Sequence, residues 1–248
     1  MKTSIKILWV GLALMLVTGL IFITLMRMDL REILPEDGNG VVIEKTISME
    51  EFAGFTVHDG LAVHYLPADK YEIKITTDSN LFKFMRHTIF NGDWLHISTT
   101  AEFGNPSQID VTIYAPSIKG LQAYNNSEII CDSAFKQTSL KVKTENSASA
   151  SFFAITENLE LEARNSSNIT ARGQTEDLNI ISNNSSQIDA SDLLSQYAEV
   201  TANGSGEVEV SVEQRLVSNS RAGGQVVYTG PESLNVKSVG NGTTRPKR

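Results

Sequence analysis

Apolar and polar residues alternate through most of the second half of this chain. Leu159 and Leu161 flank the charged Glu160, and Ile169 and Ala171 flank a polar residue further on. The same arrangement recurs in the segments before and after this one. Alternation with a period of two is typical of a strand with one face buried. The pattern therefore predicts two short strands in each segment.

A short motif rich in Asn, Ser and Gly lies between the two strands of each segment. A unit this short cannot bury its own apolar face, so it must stack on its neighbours. A second polar turn, such as residues 172–177, is expected to close each coil. The repeat predicts an all-β protein, either a parallel β-helix or a related β-solenoid. The motif copies start at Asn125, Asn146, Asn165, Asn184, Gly204 and Ala222, which are 21, 19, 19, 20 and 18 residues apart.

The motif residues have a structural interpretation. Asn, Ser and Gly tolerate the tight, positive-φ backbone of a coil corner. Stacking would place successive motif asparagines about 4.8 Å apart, so that their side-chain amides form a ladder. We assign turn and ladder positions to Asn125, Asn146, Asn165, Asn184 and Gly204. The alternative is that this row of hydroxyls and amides forms a polar surface for a glycan or a protein partner.

Polar residues at outward strand positions are candidates for ligand binding. Glu160, Glu162 and Asn179 alternate with apolar positions and would face solvent. Cleavage of a glycosidic bond requires a pair of carboxyl groups that flank the bond. The acidic residues here are spread along outward positions instead, with Lys141 and Asn179 expected beside Glu160. We therefore assign no catalytic residue and take Glu160, Glu162 and Asn179 as the candidate outward binding face.

The N-terminus predicts attachment to a membrane. Residues 7–26 contain no charged side chain and are numerous enough to span a bilayer core. Lys2 and Lys6 precede this run, and Arg27 follows it. A cleaved signal peptide would have a shorter apolar region and a small-residue cleavage site. We expect an uncleaved, single-pass transmembrane signal anchor, with residues 1–6 in the cytoplasm and the C-terminal domain periplasmic or extracellular.

The segment between the anchor and the repeats has a different character. Residues 27–40 are predicted to form a polar linker. Residues 41–116 are predicted to form an N-terminal β cap that closes the first coil, because an open sheet edge promotes aggregation. Solenoid repeats follow over 117–244, and residues 245–248 form a basic tail. Strands are expected in the cap at 55–66, 71–76, 94–99 and 109–115.

Charge and reactive side chains narrow the possible functions. The formal net charge of −8 argues against nucleic-acid binding, because phosphate neutralisation requires a basic surface. Cys131 is the only cysteine and lies in the apolar register, as expected of a buried side chain. No metal-ligand spacing or phosphate-binding loop is present, so the sequence predicts no metal and no cofactor. The histidines all fall in the cap, at His58, His64, His87 and His96.

Several cap segments, taken in order, resemble the opening of the head GIN domain of auto-transporter adhesins. They include Glu51-Phe52-Ala53-Gly54-Phe55, Asn91-Gly92-Asp93-Trp94-Leu95 and Val111-Thr112-Ile113-Tyr114-Ala115. The downstream repeat spacing is similar as well, so the likeness extends over residues 44–244. This resemblance implies a right-handed β-helix-like fold on a bacterial extracytoplasmic protein. It carries over no catalytic residue.

These observations favour a membrane-anchored β-solenoid that acts as an adhesin-like or ligand-binding module. Its ligand would be a glycan or a protein of the envelope or of a cell surface. A structural or regulatory envelope scaffold is one alternative. A carbohydrate-active enzyme is another, because some of these enzymes are parallel β-helices, and convergent carboxylates in a cleft would favour it.

Overall fold

The structure is a computed structural model that describes residues 9, 14–21, 35–90, 93–231 and 234–247. Residues 14–21 form a helix. Most of the predicted membrane span at 7–26 lies outside the described residues, as do residues 1–6 and 27–34. None of the helical segments among the described residues is long and apolar enough to cross a membrane.

The described residues beyond the helix form an extensive system of paired strands. A short 3-10 helix, Phe82–Phe84, lies between the fourth and fifth strands. The strands are β1 (Val42–Ser48), β2 (Gly54–Val57), β3 (Ala62–Pro67), β4 (Glu72–Asp78), β5 (Met85–Phe90), β6 (Trp94–Thr99), β7 (Ile109–Ala115), β8 (Gly120–Tyr124), β9 (Glu128–Glu145), β10 (Ser149–Arg164), β11 (Asn168–Asn183), β12 (Gln187–Asn203), β13 (Glu207–Arg221), β14 (Gln225–Thr229), β15 (Asn235–Val239) and β16 (Thr243–Pro246).

The strands β9 to β13 form the stacked coils that the repeat predicted. They are 15 to 18 residues long, and successive strands pair in parallel. Equivalent repeat positions are direct partners, as Ile169 is of Ala150 and of Ile188. This register follows from the motif spacing. Because successive coils have nearly the same length, the apolar residues of each coil stack on those of the previous one. The prediction of an all-β solenoid is confirmed.

Each long strand contributes its two halves to different faces of the solenoid. We call face A the face formed by the first halves, which β3, β7, β4 and β1 extend at the N-terminal end. Face B is formed by the second halves, which β8, β2, β6 and β5 extend. At the other end, β14 and β16 complete face A and β15 completes face B.

A corner lies at residues 172–177, where a second turn was expected, but it is not a separate polar turn, because these residues lie within the continuous strand β11. Parallel pairing with β12 continues around this corner with only a local irregularity between Thr170 and Arg172. Gly173, at a φ of +117°, is required here, because a Cβ on it would lie 2.0 Å from the Ala154 carbonyl oxygen.

The cap continues the solenoid as well as closing it. Asp59 and Gly60 both have positive φ and form a corner like those of the repeats. The single strand expected at 55–66 is therefore two strands, β2 and β3, one on each face. The strands β6 and β7 add a further parallel coil. Antiparallel β5 on face B, and β4 with β1 on face A, then cover the end.

The interior of the stack is mainly apolar in every coil, with buried serine and threonine hydroxyls at some positions. Ile129, Ile169 and Ile188 are at most 1% exposed, and Cys131 is buried as predicted. Removing these side chains from water is the main source of stability in such a stack. The cap is filled by larger buried side chains, including Phe52, Phe55 and Tyr65. Burial raises the pKa of the Tyr65 hydroxyl, which donates to the Ala115 carbonyl at 3.0 Å.

Residues 35–40, at the end of the predicted linker, are held against the cap. Glu36 forms a β-bridge with Phe103. The buried carboxylate of Asp78 accepts hydrogen bonds from the backbone N–H groups of Gly40 at 2.8 Å and Ser107 at 2.7 Å. Burial alone would raise the pKa of Asp78, but these hydrogen bonds outweigh it and leave the pKa below its ordinary value.

The predicted basic tail is also part of the fold. Arg245 and Pro246 belong to β16, and Lys247 forms an ion pair with Glu209 at 2.7 Å. A proline and charged side chains on an edge strand disfavour pairing with another chain. The C-terminal end of face A is therefore a protected edge.

Candidate ligand-binding face

The motif residues lie at the corners that join face B to face A. The first two residues of each motif have positive φ, between 50° and 64° at the non-glycine positions. This left-handed conformation is unfavourable for most side chains, which explains why Asn or Gly occupies the first position in five of the six copies. The third residue turns inward where it is serine. Ser186, for example, is buried and donates from Oγ to the Ala163 carbonyl of the neighbouring coil at 2.8 Å.

The asparagines assigned to the ladder lie in one row along this corner. Asn146 donates its side-chain amide to Asn125 at 3.2 Å, Asn165 donates to Asn146 at 3.0 Å, and Asn184 donates to Asn165 at 3.0 Å. Gly204 occupies the next position and has no side chain, so the row of amides ends there. These hydrogen bonds give the motif asparagines a structural role, since they tie neighbouring coils together at an exposed corner.

A shallow groove of about 430 Å³ runs along the outside of face B. It crosses the second halves of successive strands, which lie about 4.8 Å apart. Asn158, Asn179 and Tyr197 contribute amide and hydroxyl groups. The groove therefore presents a regular array of hydrogen-bonding groups. Its charged lining residues are Lys119, Lys141, Arg215, Glu160, Asp177 and Glu199.

The groove brings together two of the three predicted outward residues. Glu160 and Asn179 are direct partners in β10 and β11, and both line the groove. Glu162 is on the same strand as Glu160 but is only 8% exposed and forms an ion pair with Arg164. It is not among the groove-lining residues. The candidate binding face is therefore centred on Glu160 and Asn179.

Neighbouring side chains hold the groove residues in place. The Nζ atom of Lys141 lies 2.6 Å from Oε1 of Glu160. The hydroxyl of Tyr197 donates to Gln214 at 2.8 Å, and the Arg215 guanidinium lies 5.9 Å from the centre of the Tyr197 ring. The charged lining residues comprise three basic and three acidic side chains, so their formal charges cancel.

Sequence reasoning missed Asp177, Tyr197 and Arg215 as groove residues. They are successive partners in one outward row of β11, β12 and β13. The spacing of Asp177 and Tyr197 matches the repeat and was a usable signal. Arg215 was harder to place, because the pairing of β12 with β13 has irregularities on the N-terminal side of this position.

Two of the four histidines, His58 and His96, lie together, and His64 lies on the other face. His58 lies on the face B side of its corner and stacks between Tyr124, at 4.9 Å between ring centres, and His96, at 6.4 Å. Burial lowers the pKa of His96, and the neighbouring His58 lowers it further. His64 lies in β3 on face A. Within the described part of the chain, no group of three or more His, Cys, Asp or Glu side chains is placed to hold a metal ion.

The fold and the groove define a β-solenoid protein with a polar outer face, and comparison with known proteins identifies its family. Residues 51–231 match the family described as "Putative auto-transporter adhesin, head GIN domain". The match covers most of the chain, and the chain belongs to this family. The resemblance seen in the cap segments and the repeat spacing is confirmed. Comparison with curated proteins gives no match.

Solved structures from Bacteroides and Parabacteroides species share this fold. A putative adhesin from Bacteroides fragilis has a TM-score of 0.77 at 14% identity, over 85% of this chain and 99% of its own. A putative adhesin from Parabacteroides merdae has a TM-score of 0.66 at 21% identity, over 86% of this chain and 98% of its own. A putative lipid binding protein from Parabacteroides distasonis has a TM-score of 0.66 at 17% identity, over 87% and 100%. At these identities the likeness concerns the fold.

Proposed function

We propose that this chain is a membrane-anchored, extracytoplasmic adhesin-like module whose face B binds a glycan or a protein of the envelope or of a cell surface. The observation that carries the proposal is the groove in which Glu160 and Asn179 lie beside Lys141, Tyr197 and Arg215. Membership of the adhesin family supports the same role. The uncharged run at residues 7–26 supports anchoring, with the solenoid outside the cytoplasm.

The shape of the groove suits an extended ligand. Sites for small molecules are usually concave and bury most of the ligand surface. This groove is shallow and crosses several coils, so a polymer lying along the stack would meet similar polar groups at each coil. The exposed Lys141–Glu160 ion pair contributes little to stability, so these side chains are available for recognition.

The lining chemistry does not suit an acyl chain. An apolar ligand would separate the charged lining side chains from water without giving them new partners, which is unfavourable. We therefore do not extend to this chain the lipid binding named for the Parabacteroides distasonis protein.

We propose binding in preference to catalysis. Glycoside cleavage needs two carboxyl groups that face the same bond from opposite sides. Glu160 is engaged by Lys141, and Asn179 lies between Glu160 and Glu199 in the strand order. This arrangement supplies hydrogen bonds along a row, which suits binding.

The test is a binding screen of the full chain, purified in a mild detergent, against microbial and host glycans and envelope fractions. We expect saturable binding that the double variant Glu160→Gln/Asn179→Ala weakens by about tenfold or more, because both side chains lie at the centre of the groove. The heat-unfolded chain controls for non-specific adherence. A screen without saturable binding would contradict the proposal and favour an envelope scaffold.

A further inference from the structure

The outward row that contains Glu160 and Asn179 continues into the cap and includes a tryptophan. Asn179 pairs with Glu160, and Glu160 pairs with Lys141. Lys141 pairs with Gly120, which in turn pairs with Gly54, and Gly54 pairs with Trp94. The row therefore runs without interruption from β11 to β6. Trp94 and the groove share one outer surface.

The indole of Trp94 lies along the sheet over two glycines. A Cβ on Gly54 would lie 2.9 Å from Cη2 of the indole, and a Cβ on Gly120 would lie 2.8 Å from the same atom. Any side chain at either position would displace the ring, so the glycines create the space that it occupies. The ring rests on the backbone and is half-buried, which leaves part of it open to solvent.

The tryptophan adjoins the groove directly. Lys119 precedes Gly120 in the chain and Lys141 is the strand partner of Gly120, and both lysines line the groove. Phe90, the partner of Trp94 in β5, is 53% exposed. Face B therefore combines an aromatic surface with a row of hydrogen-bonding side chains.

The charge of the groove narrows the class of ligand. The formal charges of its three basic and three acidic lining residues cancel, and the whole chain carries a net charge of −8. An anionic polymer would gain no net attraction from the groove and would be repelled by the rest of the surface. An uncharged sugar chain fits both parts of the face. The apolar C–H face of a sugar ring packs on an aromatic ring, while its hydroxyls bond to carboxylates, amides and ammonium groups.

Building on the proposed function, we propose that the ligand of face B is an uncharged oligosaccharide and that Trp94 is the platform on which one sugar ring stacks. Asn179 and the Lys141–Glu160 pair bind the hydroxyls of neighbouring sugars along the row. Gly54 and Gly120 act as positioning residues, because they seat the indole against the sheet.

The fluorescence of Trp94 can report ligand binding directly. The chain has two tryptophans, so Trp9→Phe leaves Trp94 as the only indole fluorophore. The full-length Trp9→Phe protein in detergent is titrated with uncharged cellohexaose, chitohexaose and mannohexaose, with the anionic hexagalacturonate, and with every hit from the binding screen. We expect a saturable change in Trp94 emission with an uncharged sugar and none with hexagalacturonate.

Three variants separate the platform from the groove. The affinities of these variants are measured by isothermal titration calorimetry, because replacing Trp94 removes the fluorophore. We expect Trp94→Ala to weaken binding of that sugar by about tenfold or more, and Trp94→Phe to weaken it less, because a smaller ring still stacks. Gly120→Ala keeps the tryptophan but pushes the indole from its seat, so it should also weaken binding. Phe153→Ala, at an exposed aromatic of the bend between the faces, is the matched control and should bind like the parent. Thermal melting checks that each variant is folded.

The outcomes distinguish this inference from the proposed function. Sugar binding could depend on Glu160 and Asn179 while the emission of Trp94 stays constant and Trp94→Ala binds as tightly as the parent. In that case Trp94 is not the stacking platform, and the proposed function stands. Binding only to hexagalacturonate, or only to a protein, overturns the assignment of an uncharged sugar. Failure of every probe overturns both.

Discussion

The repeats and the cap form similar coils, but they differ in whether the stacking order of the strands follows their order in the sequence. In the repeats, the coils that follow one another in sequence also follow one another in space, as the pairings from β9 to β13 show. In the cap, β2 lies between β6 and β8, although β6 comes later in the chain than β2. Gly54 consequently contacts strands that are 40 and 66 residues away in sequence.

This difference shows what each region depends on. The repeats use one local turn many times, so the turn chemistry sets the register of every coil. The cap depends on contacts between distant segments and on larger buried side chains such as Phe55 and Tyr65. Contacts of this kind require long loops to close before they stabilise the fold. We therefore expect substitutions in the repeats to test coil stacking and turn geometry. Substitutions in the cap should test the contacts between distant segments that close the end of the solenoid.

The largest effect is expected from a charge inside the stack. Ile169→Asp places an unpaired carboxylate in a coil where the isoleucine is 1% exposed, and it should cost about 4 kcal/mol or more of unfolding free energy. Urea unfolding followed by circular dichroism measures this loss. The adjacent and exposed Asn168→Asp is the control and should change little. A well-folded Ile169→Asp variant with unchanged stability would contradict the register.

The corresponding test of the cap replaces Asp78, whose carboxylate is buried. Its folded-state pKa lies below the ordinary 3.8, so its contribution to stability is complete above that pH and is lost as the pH falls through the folded pKa. Asp78→Asn should lower the melting temperature at pH 7 and remove part of the further loss below about pH 4. Exposed Asp69→Asn is the control. Identical melting temperatures for Asp78→Asn and the parent at pH 7 would show that the carboxylate does not hold the cap.

A smaller loss is expected from the inward serine of a repeat turn. Ser186 accepts a hydrogen bond from the Asn183 N–H at 3.0 Å and donates to the Ala163 carbonyl at 2.8 Å. Ser186→Ala removes this partner from the buried Ala163 carbonyl and the part-buried Asn183 N–H, and it should cost about 1–3 kcal/mol in chemical denaturation. Ser185→Ala, at the exposed neighbouring position, should cost clearly less. Equal losses would mean that the inward hydroxyl has no special role.

The ladder asparagines should contribute less again, in two separable parts. Asn165→Gly removes the amide hydrogen bonds to Asn146 and Asn184 and should cost about 0.5–1 kcal/mol. Asn165→Ala removes the same bonds and also places alanine at a φ of 56°, so it should cost about 1 kcal/mol more. Paired melting curves measure the difference. If Asn165→Gly costs nothing, the amide ladder is not stabilising.

The smallest effect is expected at the groove. Glu160→Gln removes one exposed ion pair with Lys141, and exposed pairs contribute about 0–1 kcal/mol. Its melting temperature should stay close to that of the parent, while ligand binding falls. A large loss of stability would mean that Glu160 supports the fold and would weaken its assignment to recognition.

The repeat region was largely predictable because its signals are local. The spacing of the motif placed Ile169 and Ile188 in one buried row, and the turn residues have the positive φ that Asn and Gly favour. The continuous strand through 172–177 was not predictable from polarity, because coil stacking supplies hydrogen bonds to residues that read as a turn. In the cap, the Asp59-Gly60 dipeptide was a usable turn signal that the strand prediction at 55–66 overlooked.

The binding face was predictable only in part. Glu160 and Asn179 are one repeat apart, so the spacing itself placed them side by side. The position of Trp94 in the same row depends on the reversed order of the cap coils, which no local pattern encodes. The glycines beneath it show this clearly. Gly54 and Gly120 have no evident role until the sheet brings them under one indole ring.

The most direct test of the account compares matched double variants on the two faces. Glu160→Gln/Asn179→Ala alters face B, and Glu207→Gln/Asn168→Ala makes the same chemical changes at exposed positions of face A. The measurement is the affinity of each full-length variant for the strongest ligand found in the binding screen. We expect a loss of about tenfold or more for the face B variant and nearly unchanged binding for the face A variant. Equal losses, or a greater loss on face A, would contradict it.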